Sequence, residues 1–256
     1  TRPWRARRGL TTPSSDPRPV HQFFDALEAS GPRRCAQITH LSADGAEWIA
    51  QVVTQRCPQA VRCADPFHVV GWATDALDAV RRQAWNDARK AGHTKPRGRG
   101  HGNPKHVATG RASALKTTRY ALWKNPENLT DNQRAKLAWI AKTDPRLYRA
   151  YLLKEALRVI FQLPHPQASH ALDRWVSWAR RSRIEPFVAL QRRITKHRDT
   201  ILAAIEHGLS NGLVESVNTK IRLITRMAYG FASPHTLIAL AMLHLGGHRP
   251  TLPGRP

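Results

Sequence analysis

A chain of 256 residues can bury one large or two small cores, and 41% hydrophobic with 23% charged residues is a globular composition. The charge is unusual: 41 Lys and Arg against 18 Asp and Glu leave +23 and a pI near 11.3, which attracts polyanions, nucleic acid first among them. No apolar run spans a bilayer and the Arg-rich start has no signal core. Cys35, Cys57 and Cys63 form no Cys-x-x-Cys pair and read as reduced, mostly buried thiols of a cytosolic protein, not as a zinc site.

Residues 1–20 are rich in Pro, Arg and Ser without periodicity and read as a disordered basic leader. His21 to Ser30 reads as a helix with Phe23, Phe24 and Leu27 on one side, ended by Gly31-Pro32. Ala36 to Ala43 is a strand candidate that runs into the turn pair Asp44-Gly45. Ala46 to Arg56 is a helix by pattern, and Ala60 to Ala64 a second strand closed by Asp65-Pro66. Such a strand–helix–strand unit makes its strands parallel, so Asp44 and Asp65 stand at one carboxyl edge, where open α/β sheets bind ligands.

After Val70 helical patterns follow: Trp72 to Ala91, Arg111 to Trp123, Asp131 to Lys142, Pro145 to Leu163, Gln167 to Arg181 and Ile184 to His207. Their tryptophans (Trp85, Trp123, Trp139, Trp175, Trp178) read as core rather than base-stacking platforms. Gly92 to Gly110 reads as a mobile basic loop, either a solvated linker or a segment that tracks DNA phosphates. Arg180-Arg181-Ser182-Arg183 is a candidate phosphate contact, although charge runs are commonly only solvated. Two helices close the chain: Ser210 to Phe231, capped by Ser210 and ended by Gly230, and Ser233 to Gly246, started by Ser233-Pro234.

In the first of these, Leu213, Val217, Ile221 and Ile224 share a sector of about 80°. Glu215, Asn218, Arg222 and Arg226 lie opposite. A Glu among arginines is also what an ordinary solvent face looks like. Together with a strand-end aspartate it offers carboxylates for divalent cations: Mg²⁺ takes oxygen ligands, and a pair of ions supports in-line displacement at a phosphodiester. A two-metal site needs a further carboxylate.

Several motifs then occur in a specific order. Ser42-Ala43-Asp44-Gly45, Pro58-Gln59-Ala60-Val61 and Asp65-Pro66-Phe67-His68-Val69-Val70 are followed by Asn125-Pro126-Glu127-Asn128-Leu129-Thr130. Leu209-Ser210-Asn211-Gly212-Leu213-Val214-Glu215-Ser216-Val217-Asn218-Thr219-Lys220-Ile221-Arg222 and Arg226-Met227-Ala228-Tyr229-Gly230-Phe231 come last. This series, from about His21 to Arg255, resembles the ISL-three-type insertion-sequence transposases. The resemblance implies a mixed α/β, mostly helical fold: a partial RNase H-like core over 21–70, a helical insertion over 71–207 holding the loop 92–110, and C-terminal helices over 208–256 that complete the core. It implies an Asp-Asp-Glu set using Mg²⁺ (or Mn²⁺) to cut transposon ends and join 3′-hydroxyls to target DNA, in a bacterial, cytoplasmic, nucleoid-associated homo-oligomer.

On this mapping Asp44 resembles the second catalytic Asp and Glu215 the Glu, both as metal ligands. Asp65 and His68 resemble an accessory Asp-x-x-His pair, with Asp65 the alternative second Asp and Asn218 a further accessory residue. Lys220, Arg222, Arg226, Arg180, Arg181 and Arg183 are the expected DNA contacts. The first Asp, three strands, and the zinc-binding and helix-turn-helix segments are expected before His21; Asp16 there lies in a turn-like Ser-Ser-Asp-Pro context, Asp25 lies in the helix that follows, and neither fits the role. The expectation is a truncated copy, a fragment or a frameshift product that binds DNA weakly, without sequence choice, and catalyses little alone. The alternative is a non-catalytic nucleic-acid-binding remnant or inhibitor of transposition. A further alternative is an unrelated basic helical protein.

Overall fold

The structure, a computed structural model, describes residues 16–43, 46–93, 104–231 and 233–245. It is mostly helical with one small parallel sheet, and it divides into two compact units, Thr1–Leu209 and Ser210–Pro256. No helix among the described residues is long and apolar enough to cross a membrane.

Helix α1 (Arg18–Ala29) begins before His21 because the Asp16 carboxylate accepts the Arg18 N–H at 3.0 Å and Pro17 stands at the N-cap. It buries Phe24, whereas Phe23, expected beside it, is 61% exposed. The strand expected from Ala36 starts only at His40. Cys35–Gln37 form a 3-10 turn instead, because other elements take their backbone groups. The Glu28 carboxylate accepts the Cys35 N–H at 2.7 Å, and the Gln59 amide donates to the carbonyls of Cys35 and Ile38 at 2.7 and 3.0 Å. Strand β1 (His40–Ala43), helix α2 (Glu47–Arg56) and strand β2 (Val61–Ala64) follow as expected, with the strands parallel and Ala43 opposite Ala64. Phe24, Cys35, Val52, Val53 and Cys57 form the small core of this part.

Helix α3 (Pro66–His93) starts six residues earlier than Trp72, so Asp65-Pro66 opens a helix as well as closing a strand. It crosses residue 70 without a break, joining the α/β part to the helical array. Helix α4 (Pro104–Thr117) takes in the last part of the expected loop, of which 94–103 lie outside the described residues. The helix expected over Arg111 to Trp123 is broken at Thr118, whose buried hydroxyl donates to the Leu115 carbonyl at 2.8 Å; α5 (Arg119–Trp123) is the remainder. Helix α6 (Asp131–Thr143) opens with a Thr130–Gln133 capping box, and α7 (Pro145–Ile160) with the Asp144 carboxylate on the Leu147 N–H.

Helix α8 (His165–Arg181) is as expected, but Ile184 to His207 divides at His197 into α9 (Glu185–Lys196) and α10 (Arg198–His207). The physical reason is tertiary. Arg198 is drawn to Asp173 and Ser169 on α8 at 3.0 Å, and the bend lets α10 lie on β2 while α9 stays against α3. Leu77, Leu115, Leu122, Leu153, Leu157 and Phe187 are among the fully enclosed residues of the array. Lys154 is buried among them, donating to the Leu122 carbonyl at 3.1 Å and pairing with Glu155. Arg158 links Glu155 to Glu127.

In the second unit, α11 (Gly212–Met227) begins with Asn211, not Ser210, at its N-cap. It ends with Tyr229 and Gly230 at positive φ, the Gly230 N–H reaching back to the Thr225 carbonyl at 3.0 Å. Helix α12 (Pro234–Leu245) starts as expected, Ser233 Oγ accepting the His235 N–H at 3.2 Å.

Candidate functional site

The two strands end side by side, and each is followed by an aspartate. Asp44 lies outside the described residues. Asp65 is the N-cap of α3. Its side chain is wholly buried, Oδ1 accepts the Phe67 N–H at 3.3 Å, and its carbonyl accepts the Val69 N–H at 3.1 Å. With Pro66 at the first helical position, this satisfies donors that a helix start leaves over. The second oxygen, Oδ2, lies 2.6 Å from Nδ1 of His68, whose side chain is 37% exposed. A carboxylate held this way fixes the orientation of the imidazole. The structure thus brings together the expected Asp65–His68 pair.

Beside the strand ends lies a cleft that the sequence did not reveal, lined by Ala43, Ala46, Glu47, Arg62, Lys196 and His197 among others. Lys196 Nζ sits 2.7 Å from Glu47 and holds that carboxyl below its ordinary range. Burial, then the charges of Arg193 and Lys196, hold His197 below the ordinary imidazole value. The Arg193 guanidinium lies 3.6 Å over the Trp72 ring, which faces His197 at 5.6 Å. The break that turns His197 toward the sheet is not marked by Pro or Gly, so nothing local linked residues 196–197 to the strand edge.

In the second unit Glu215 is half-buried in the first turn of α11, where a helix N-terminus favours a carboxylate. Asn218, Lys220, Arg222 and Arg226 are exposed, with no carboxylate paired to them among the described residues. Val217, Ile221 and Ile224 are half-buried rather than enclosed, and the Leu213 side chain lies outside the described residues. In the first unit Arg180, Arg181 and Arg183 are also exposed. Their turn is held by Ser182, which donates to the Ala179 carbonyl and accepts the Ile184 N–H.

Among the described residues no three His, Cys, Asp or Glu side chains converge as a metal site. Asp65 is wholly buried, with its oxygens on a backbone amide and an imidazole and without the further oxygen donors among the described residues that Mg²⁺ takes. The described residues therefore do not by themselves fit a two-metal centre.

The chain matches a family model described as Transposase, of the ISL-three type, over residues 11–241. It is 62% identical over 248 residues to the transposase for insertion sequence element IS1557 of Mycobacterium tuberculosis, covering 95% of this chain and 55% of that protein. It is 26% identical over 211 residues to the transposase for insertion sequence element IS1001 of Bordetella parapertussis, covering 82% of this chain and 47% of the relative. No solved structure matches. The chain belongs to this transposase family. It spans about half the length of the curated relatives it matches.

Proposed function

We propose that the chain acts on DNA in the transposition of an insertion sequence, with an RNase H-like core of which 21–70 and the C-terminal helices are parts and 71–207 the helical insertion. The observation that carries this reading is the family match over residues 11–241. The charge of +23 and the unpaired arginines of the α8–α9 turn and of α11 support DNA as the partner. Asp44 and Glu215 are the two carboxylates assigned to an Asp-Asp-Glu set, with Mg²⁺ or Mn²⁺ as the implied cofactor and a homo-oligomer as the working form. The engagement of Asp65 with its own helix and with His68 favours Asp44 as the strand-end ligand. Asp65 then positions His68.

A test that needs no turnover replaces Mg²⁺ by Fe²⁺ with ascorbate, so that radicals cut the polypeptide beside the bound ion. Cuts near residues 44 and 215 that vanish in Glu215→Gln are expected. Their absence from the unaltered chain would overturn the assignment of these two carboxylates. The net charge of +23 and the exposed arginines serve equally in a second reading, a nucleic-acid-binding protein without catalysis. It predicts no such cuts, and salt-sensitive DNA binding that Glu215→Gln leaves intact.

A further inference from the structure

Helices α7 and α8 do not close completely on each other. Between them runs an open apolar groove with room for about 440 Å³, lined by Val159, Ile160, Leu163, Arg174, Trp175 and Trp178 among others. Trp175 is its fixed floor, buried, with Nε1–H donating to the Leu153 carbonyl at 2.8 Å. Trp178, one turn later, stands at the mouth with its side 37% exposed. Val159 across from it is 41% exposed. Sequence pattern alone makes Trp178 a core residue, and its position here is not that of one.

The charge around the groove is one-sided. At 100° per residue, Arg174, Trp178 and Arg181 fall in a sector of about 60° on α8. Both arginines are exposed and have no carboxylate partner among the described residues. On the other side of the same helix Asp173 is paired with Arg198 at 3.0 Å, so positive charge is compensated there and uncompensated at the groove. No carboxylate is among the described residues that line the groove. An apolar slot lined by an exposed indole and Arg174, with Arg181 further along the same face of α8, suits a ligand with a flat apolar face joined to an anion.

We propose that this groove is a stacking site for an unpaired nucleotide of a DNA strand, with Trp178 as the platform and Arg174 and Arg181 on the flanking phosphates. The proposal rests on the DNA-binding reading above and adds a preference for single strands. In a duplex each base face is covered by its neighbours, so only an unpaired base can present its π face to an indole. Phosphate contacts alone do not distinguish the two forms.

The test compares binding of the full chain to a labelled oligothymidine and to a blunt duplex of equal length, by fluorescence anisotropy over a series of salt concentrations. Trp178→Ala is expected to weaken oligothymidine binding about tenfold, the scale of one stacked base, and to leave duplex binding unchanged. Trp178→Phe, which keeps a ring, is expected to restore most of the difference. Arg174→Gln with Arg181→Gln is expected to weaken both probes and flatten the salt dependence. In the unaltered protein, oligothymidine carrying 5-iododeoxyuridine is expected to cross-link to the tryptic peptide Trp175–Arg180, a readout that does not depend on any variant folding. Equal loss on both probes, no loss on either, or a cross-link confined to other peptides would overturn the proposal. So would a shift of Trp178→Ala to a smaller oligomer in light scattering with binding unchanged, which makes the groove a protein contact. Failure of the unaltered chain to bind either probe would overturn the DNA-binding reading itself, whereas duplex binding that survives while the groove variants do nothing overturns the groove alone.

Discussion

The helices between Pro66 and His207 cover one another, and the two helices after Ser210 do not. Leu77, Leu115, Leu153 and Phe187 of the array are wholly enclosed. In the C-terminal pair no described residue is buried, and Ile238, Met242 and Leu243 are each more than half exposed. Helix α12 carries apolar residues on every side, the pattern of a helix surrounded by protein, and Val214, Leu223 and Met227 of α11 are exposed outside its half-buried stripe. A hydrophobic pattern thus states a need for cover without stating its source. Within the array the source is the array itself. The pair needs more apolar cover than its two helices give each other.

The sharpest way to break this contrast is a matched pair of truncations. Phe187→Ala is expected to cost ~3–5 kcal/mol in urea unfolding, as for a large ring removed from a closed core. Met242→Ala is expected to stay within about 0.5 kcal/mol, as for a surface site. Similar losses at both positions would mean that the pair is enclosed in solution. Next in size is Lys154→Ala, expected to cost about 3 kcal/mol because it leaves the buried Glu155 short of a partner. A cost near zero would show that the polar thread through the array is dispensable.

Asp65→Ala removes the cap of α3 and the partner of His68, and about 1 kcal/mol is expected from the cap alone. Thermal unfolding measures it, and Asp65→Asn is expected to recover part of the loss because an amide oxygen still accepts the Phe67 N–H. The smallest effect is expected at His197. Its folded value lies below the ordinary 6.5, so the unfolded chain takes up the proton first. Stability is then fully present above pH 6.5 and declines as pH falls through the folded value; His197→Gln is expected to flatten that part of the profile of melting temperature against pH.

How much could be read in advance depended on where each feature is decided. The strand–helix–strand order was legible because its boundaries carry local turn chemistry, in Pro58 and in Asp65-Pro66. The Asp65–His68 pair came from the family resemblance, not from local pattern, because the helix start that joins the two side chains lies six residues before the expected one at Trp72. The 3-10 turn at Cys35–Gln37 was not legible, because a glutamate and a glutamine from other elements take its backbone groups. Neither was the break at His197, which is set by Arg198 reaching Asp173. For that reason Lys196 and His197 at the strand edge went unseen. Trp178 was misread because periodicity gives the side of a helix and not whether the neighbouring helix closes over it.

Helix α3 has a mechanical consequence. Its 28 residues make a rod about 42 Å long at 1.5 Å per residue. One end is pinned at the strand edge by Asp65, and its length is clamped between α4, α7 and α9. The helical array and the strand edge are therefore mounted on one shaft. A displacement of the array reaches the strand edge as a rotation or thrust of that shaft, with no break in the helix between the two to absorb it.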